Sequence, residues 1–214
     1  LGKTRRSTVE VQPEEWPLVT VQLPIYNEKA VAARLIDAVA NFDYPANRLE
    51  IQVLDDSTDG TCEIVCERAA NWRKQGRNIS VIHREVRTEY KAGALREGLE
   101  SAQGEFIAIF DADFIPPPSW VKRAIQPFLE PGTGKLGLVQ TRWTHINEAY
   151  SVLTRAQALA LDGHFAIEQN VRNEAGLFMN FNGTAGIWRK ACILDAGNWR
   201  GASLSEDLDL SYRA

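Results

Sequence analysis

The sequence predicts an α/β fold in which helices sandwich a mostly parallel β-sheet. Apolar runs without polar alternation recur along the chain, as in strands that are buried on both faces. Stretches with helical spacing separate these runs at short intervals, which is typical of βαβ units. The 214 residues, of which 44% are hydrophobic, are enough to bury a sizeable core.

The first part of the chain alternates strand and helix. The apolar runs LVTVQL (18–23), LEIQVLD (49–55) and ISVIH (79–83) predict three strands. After the first, Val31 and Leu35 recur at helical spacing, and after the second the turn DSTDGT offers helix-capping residues. This order predicts parallel strands that are joined by right-handed crossovers.

Two further strands are predicted beyond a helix that opens at Lys91. The run FIAIFD (106–111) leads directly into Asp111 and Asp113 and then into three prolines. The run KLGLVQTRW (135–143) provides the fifth predicted strand.

The pattern changes after residue 148. Residues 149–171 read as one long amphipathic helix, which either packs against the sheet or lies on a membrane surface. A segment rich in small and aromatic residues follows. The closing stretch SEDLDLSYRA predicts a helix that is capped by Ser205 and anchored by an apolar face of Leu204, Leu208 and Tyr212.

Composition excludes several classes of protein. A net charge of −4 argues against general nucleic-acid binding. No apolar stretch approaches the roughly 18 residues that span a bilayer. Cys62 and Cys66 share a predicted helix face with Val65 and Ala69, so we interpret them as small buried hydrophobes rather than metal ligands or redox groups.

Polar residues follow four of the predicted strands, at the edge where open parallel sheets bind ligands. Helix capping or turn chemistry explains any one of them, but is a poorer explanation for all of them together. The residues are Tyr26, Asn27 and Glu28, then Asp55 and Asp56, then Lys91, and finally Asp111 and Asp113.

The pair Asp111 and Asp113 predicts a cation site. Side chains alternate along a strand, so the two carboxylates start on the same face and repel each other unless a cation neutralises them. Mg²⁺ or Mn²⁺ takes oxygen ligands and keeps positions for substrate phosphates. Lys91 at a helix N-terminus, with Gly93 close by, adds a site for an anion.

Six motifs in a fixed order carry a resemblance over about residues 18–214. They are LPIYNE, LDDSTDGT, KAGAL, FDADF, FNGTAG and SEDLDL. The set resembles the family-2 glycosyltransferases of GT-A fold, and among them the cellulose synthases and the cellulose-synthase-like glucan or mannan synthases. The glucomannan-synthase-like branch is the most similar.

The resemblance implies an inverting transfer of a hexose from a nucleotide sugar, with Asp207 as the catalytic base and Mg²⁺ or Mn²⁺ as the cofactor. Its transition state would resemble an oxocarbenium ion, and a carboxylate would take the proton of the acceptor hydroxyl. The implied nucleotide-binding residues are Pro24, Tyr26, Glu28, Asp55, Asp56, Lys91 and Asp111. The implied metal ligands are Asp111 and Asp113, and the implied acceptor-binding residues are Asn182, Gly183, Thr184 and Glu206.

The sequence departs from the family pattern in two places. Ser205 stands where the family usually has Thr, which retains a hydroxyl group. The Gln-x-x-Arg-Trp motif that should follow the base is absent, and QTRW (140–143) has a spacing one residue shorter and precedes the acceptor region.

We therefore predict an N-terminal extension over 1–17 and a glycosyltransferase domain over 18–214. Its nucleotide-sugar-binding half is 18–134 and its acceptor-side half, 135–214, is cut short. We interpret the chain as a piece of a membrane-embedded enzyme that faces the cytoplasm. Its partners are a nucleotide-sugar donor, either UDP-glucose or GDP-mannose, and a growing β-glycan.

Two alternatives remain at this point. One is a non-processive glycosyltransferase that acts on a lipid or small acceptor. The other is a nucleotide-sugar-binding module without turnover. A dehydrogenase is a poor fit, because no Gly-x-Gly-x-x-Gly follows the first strand.

Overall fold

The structure, a computed structural model, describes residues 15–169, 171–172, 175–203 and 205–214. Within these residues six strands form one sheet in the order β3-β2-β1-β4-β6-β5. Most of the predicted extension over 1–17 lies outside the described residues. The strands are β1 (Val19–Ile25), β2 (Leu49–Asp55), β3 (Asn78–His83), β4 (Phe106–Ile109), β5 (Leu138–Gln140) and β6 (Gly186–Arg189).

Helices connect the strands and cover the sheet. The α-helices are α1 (Ala32–Ala40), α2 (Thr61–Lys74), α3 (Tyr90–Ser101), α4 (Trp120–Leu129), α5 (Val152–Gly163), α6 (Lys190–Asp195) and α7 (Glu206–Arg213). Short 3₁₀ turns occupy Ala46–Arg48 and Glu148–Tyr150, and a π-helical segment, His164–Gln169, continues α5. No helix among the described residues is both long and apolar enough to cross a membrane.

The sheet separates two apolar clusters, because successive side chains of a strand point to opposite faces. In β4, Phe106 and Ala108 join the cluster formed with α1, α2 and α4. Ile107 and Ile109 join the cluster formed with α3, α6 and α7. This layering confirms the predicted α/β class.

The directions of the strands place the predicted site residues at one edge of the sheet. β1 pairs in parallel with both β2 and β4, and β2 pairs in parallel with β3. β6 runs antiparallel to β4 and β5. The carboxyl ends of β1, β2, β3 and β4 therefore share one edge, where the predicted site residues lie.

Strand β4 is shorter than the sequence suggested. It ends at Ile109, so Asp111 and Asp113 lie in the turn that follows rather than on one face of a strand. The backbone N–H of Asp111 donates to the hydroxyl of Thr184 at 3.1 Å, which ties this turn to the loop before β6.

The long helix predicted over 149–171 begins three residues later, at Val152, and passes into the π-helical segment at His164. Ser151 begins α5 with a capping box, in which its hydroxyl accepts from the N–H of Thr154. The preceding residues Glu148–Tyr150 form a separate 3₁₀ turn. The prediction for the cysteines was also partly wrong, because Cys66 is exposed and Cys62 is half-buried, although Val65 and Ala69 are buried.

Candidate active site

A pocket of about 270 Å³ opens at the carboxyl edge of β1, β2 and β4. Six of the predicted nucleotide-binding residues line it, together with one arginine that the sequence did not single out. These are Pro24, Tyr26, Glu28, Asp56, Lys91 and Asp111, and the arginine is Arg87.

The ammonium group of Lys91 connects three parts of the site. Its Nζ lies 2.5 Å from Oδ1 of Asp111, 3.0 Å from the carbonyl oxygen of Gly183 and 3.8 Å from Oε1 of Glu206. The turn after β4, the loop before β6 and the first turn of α7 therefore converge on one cation. The side chain is 24% exposed, so a ligand in the pocket can reach it.

Three carboxylates near this lysine interact electrostatically. Burial raises the pKa of Glu28, and the negative charges of Asp111 and Asp113 raise it further. Lys91 neutralises Asp111, while Asp113 is exposed. The set offers the oxygen ligands that a hard divalent cation prefers, so the residues present fit Mg²⁺ or Mn²⁺.

Asp207 lies in the first turn of α7 and faces the same loop as Lys91. Gly183 has a φ of +74°, and a Cβ atom there would lie 3.1 Å from Oδ2 of Asp207 and 3.4 Å from Nζ of Lys91. A larger side chain at Gly183 would thus intrude between the two groups. The other carboxylate oxygen, Oδ1, accepts from the N–H of Leu208 at 2.8 Å.

The prediction about how α7 is anchored was partly wrong. Ser205 occupies the cap position, but its side chain makes no capping hydrogen bond. Leu208 and Tyr212 are 38% and 51% exposed, whereas Leu210 is fully buried. Leu204 lies outside the described residues.

Hydrogen bonds to other parts of the protein hold the predicted acceptor loop in place. Thr184 is buried, and its hydroxyl is engaged by Asp111. The side chain of Gln140 accepts from the N–H of Asn182 at 2.9 Å and donates to the carbonyl of Thr184 at 3.0 Å. The glutamine of QTRW therefore supports this loop, a role that the sequence did not indicate.

Two arginines from the loop after β3 support the pocket: Arg87 lines it, and Arg84 holds Asp56, which also lines it. Arg84 forms a two-pronged ion pair with Asp56, with Nε–Oδ1 and Nη2–Oδ2 distances of 2.6 and 2.5 Å. The guanidinium of Arg87 stacks over the ring of Tyr26, 3.6 Å from its centroid. In sequence this segment is recognisable only as a polar loop, although its arginines after a third parallel strand were a usable signal.

Asp55 is the predicted nucleotide-binding residue that the structure does not bring to the pocket. Its side chain is fully buried, accepting from the N–H of Ser57 at 3.1 Å and lying 2.8 Å from Nδ1 of His83. The thiol of Cys62 is next to this pair, and burial, with help from Asp55 and Cys66, raises its pKa to about 12.

A larger cavity of about 870 Å³ begins at Asp113, on the other side of the turn after β4. Aromatic side chains that include Phe114 and Trp143 line it, and these two rings make an edge-to-face contact at 5.3 Å. Asp113 thus lines the larger cavity, whereas the preceding residues Asp111 and Ala112 line the smaller pocket.

Comparison with solved structures identifies the fold. The mannosyltransferase PcManGT from Pyrobaculum calidifontis, in complex with GDP-Man and Mn²⁺, matches 94% of this chain and 51% of its own with a TM-score of 0.71 and 24% identity. S. aureus TarS 1-349, in complex with UDP-GlcNAc, matches 92% of this chain and 53% of its own with a TM-score of 0.60 and 21% identity. The fold is thus the GT-A fold of glycosyltransferases, as predicted.

The sequence comparisons identify the family. A family profile described as glycosyl transferase family 2 matches residues 20–193, and the chain belongs to this family. Glucomannan 4-beta-mannosyltransferases 7 and 2 of Arabidopsis thaliana are 44% and 45% identical, each over 96% of this chain. An enzyme of the same name from Cyamopsis tetragonoloba is 44% identical over 94% of this chain. The chain spans only 37–39% of the length of these relatives.

Proposed function

We propose that this chain is the catalytic domain of an inverting mannosyltransferase that moves mannose from GDP-mannose to a growing β-linked polysaccharide. The observation that carries the proposal is the convergence of Lys91, Asp111 and Asp207 around Gly183, at the edge of a nucleotide-sized pocket. The choice of mannose follows the names of the relatives at 44–45% identity. The choice of GDP follows the GDP-Man in the complex of the structurally similar PcManGT.

The pocket offers groups for each part of a nucleoside diphosphate. The ring of Tyr26 provides a stacking surface for a base, and Asp56 accepts hydrogen bonds from base or ribose. Lys91 supplies positive charge for the diphosphate at the start of α3. Arg87 adds a second cation to the same pocket.

Asp111 and Asp113 would hold Mg²⁺ or Mn²⁺, with Glu28 contributing negative charge from nearby. A divalent cation in this position neutralises the charge that develops on a departing diphosphate. Lys91 assists from the protein side, because its ammonium group already lies against Asp111.

Asp207 serves as the base in this proposal. The acceptor hydroxyl oxygen forms a bond to the anomeric carbon while the bond from that carbon to the diphosphate oxygen breaks. The hydroxyl proton passes to the carboxylate of Asp207, and the nucleoside diphosphate leaves with the bonding electrons. Attack from the face opposite the leaving group inverts the anomeric centre, so an α-linked donor gives a β-linked product.

The wider setting is also a proposal. We infer that the parent protein is membrane-embedded, works at the cytoplasmic face and extends a glycan processively. The similarity to glucomannan 4-beta-mannosyltransferases over almost the whole of this chain supports this setting.

Calorimetric titration with GDP and UDP, each with and without Mn²⁺, tests the donor site. We expect GDP to bind more tightly than UDP, and the Mn²⁺-dependent part of the affinity to disappear in Asp113→Asn. Mannosyl transfer from GDP-mannose to manno-oligosaccharides by the full-length protein, with the product anomer assigned by NMR, tests the reaction. Tighter binding of UDP, or an α-linked product, would overturn the corresponding part of the proposal.

A further inference from the structure

Three side chains of different chemistry converge just behind the wall of the nucleotide pocket. Asp55 ends β2, Cys62 lies in the first turn of α2, and His83 ends β3. One donor atom from each lies within 4.8 Å of the others. None of the three has a part in the transfer chemistry proposed above, so the cluster needs an explanation of its own.

The ring nitrogen of His83 that the carboxylate and the thiol contact decides what this cluster can do. Oδ2 of Asp55 is 2.8 Å from Nδ1 of His83, and Sγ of Cys62 is 3.9 Å from the same nitrogen. A proton relay from thiol to imidazole needs the carboxylate and the thiol on different ring nitrogens. Both groups lie next to Nδ1. Asp55 therefore cannot hold the ring through one nitrogen while the other nitrogen takes a proton from Cys62. Three donors directed at one point are instead suited to a shared metal ion.

We propose that Asp55, Cys62 and His83 form a zinc site that is separate from the divalent-cation site at Asp111 and Asp113. Zinc takes thiolate, imidazole and carboxylate ligands, whereas Mg²⁺ and Mn²⁺ favour sites made only of oxygen. The two sites therefore select different ions through the chemistry of their ligands.

The observed separations are close to those of a tetrahedral zinc site. Ordinary zinc bond lengths place the nitrogen and oxygen ligands about 3.4 Å apart, and the sulfur and nitrogen ligands about 3.6 Å apart. The corresponding distances here are 2.8 and 3.9 Å, so small side-chain rotations bring all three atoms to an ion. The thiol of Cys66 neighbours that of Cys62 but is not among the donors that lie within 4.8 Å of one another, so a water molecule would supply the fourth ligand.

The site would brace the donor pocket from behind. Asp55 is followed directly by Asp56, which lines the pocket, and His83 is followed by Arg84, which holds both carboxylate oxygens of Asp56. A zinc ion would join the ends of β2 and β3 to the start of α2. Binding to the folded state alone would also raise the stability of the protein.

Cobalt titration of the metal-free protein tests the proposal, because Co²⁺ occupies zinc sites and reports its ligands in the absorption spectrum. We expect one equivalent to bind, with a thiolate-to-cobalt charge-transfer band and the intense visible bands of tetrahedral Co²⁺. Excess Zn²⁺ should bleach both. Cys62→Ser should lose the thiolate band, and His83→Ala should bind Co²⁺ at least about tenfold more weakly.

Two variants serve as matched controls. Cys192→Ser alters a thiol outside the cluster, and Asp113→Asn alters the oxygen site, so both should keep the full cobalt spectrum. A wild-type protein without the thiolate band, or a band that survives Cys62→Ser, overturns the proposal. Thermal unfolding provides a second measurement: Zn²⁺ should raise the midpoint of wild type and Asp113→Asn, and leave Cys62→Ser and His83→Ala unchanged.

Discussion

Residues 18–134, the predicted nucleotide-side half, and residues 135–214, the predicted acceptor-side half, differ in how their charged and apolar side chains are placed. In the first, charged groups at the site are matched inside the half, as Asp56 is by Arg84 with both side chains under 10% exposed. In the second, large apolar side chains face solvent, including Tyr150 at 86% and Val152 at 88% exposed. The buried ion pair of Asp56 and Arg84 is internal to the first half, although Lys91 also contacts Gly183 and Glu206 of the second, whereas the second half presents apolar surface to solvent.

The catalytic carboxylate proposed here belongs to the second half but is positioned against the first. Asp207 and Lys91 both lie next to Gly183. Gln140 holds the loop that contains this glycine. We therefore predict that some mutations change the transfer rate without changing donor binding.

The largest expected effect is a loss of transfer activity from a mutation in the second half that leaves nucleotide binding by the first half unchanged. Asp207→Asn should lower mannosyl transfer about 10³-fold, because the acceptor hydroxyl loses its base. GDP binding should stay within twofold of wild type, because the nucleotide groups lie in the other half. Transfer assays and calorimetry on the same preparations measure both quantities. Asp209→Asn is the control on the same helix, since Asp209 pairs with Arg213, and equal losses in the two variants would contradict the assignment.

A change in the donor wall should act on stability as well as binding. Arg84→Ala leaves Asp56 buried without its main partner, which we expect to lower the free energy of unfolding by about 3–5 kcal/mol. Urea unfolding measures this loss. The exposed Arg123, changed to Ala, should cost much less, and an equally small effect at Arg84 would show that the pair is not structural.

The junction between the halves offers a sharper test. Gly183→Ala forces a positive φ on alanine and places a methyl group 3.1 Å from Asp207, so both stability and transfer should fall. The strain alone is worth about 1–2 kcal/mol. Gly132→Ala has a φ of +82° with no atom within 4 Å of the added carbon, so it should lose stability without losing transfer. Full activity in Gly183→Ala would show that this loop has no part in the transfer reaction.

The smallest expected effect concerns pH. Burial and two neighbouring carboxylates raise the pKa of Glu28, so the folded protein holds this proton more tightly than the unfolded chain does. Its contribution to stability is therefore lost as pH rises above the ordinary value of 4.5. Glu28→Gln should be more stable than wild type at neutral pH, and the difference should vanish below pH 4.5. Glu85→Gln, an exposed control, should show no such dependence.

The sequence anticipated the first half well, because long apolar runs and short turns encode strands and rim residues locally. It placed β2 at the residues that the structure shows and put six pocket-lining residues at one edge. Arg87 escaped notice because its importance arises from stacking on Tyr26, sixty-one positions earlier in the chain.

The second half was harder to predict because its geometry depends on distant contacts. Strand β6 has only four residues and gains its identity from pairing with β4 and β5. The later start of the helix predicted over 149–171 follows from a local capping box at Ser151, a signal that the sequence did contain. The role of Gln140 depends on a loop some forty residues away, which no local pattern encodes.

The three contacts of Lys91 have a consequence for the order of events. An ammonium group has three protons to donate, and Lys91 gives two of them to Asp111 and to the carbonyl oxygen of Gly183. Glu206, at 3.8 Å, is paired with it by charge and not by a hydrogen bond. In the proposed reaction, a phosphate oxygen that takes the third proton would draw the lysine's charge away from Glu206, and this carboxylate would become available for another bond when the donor arrives.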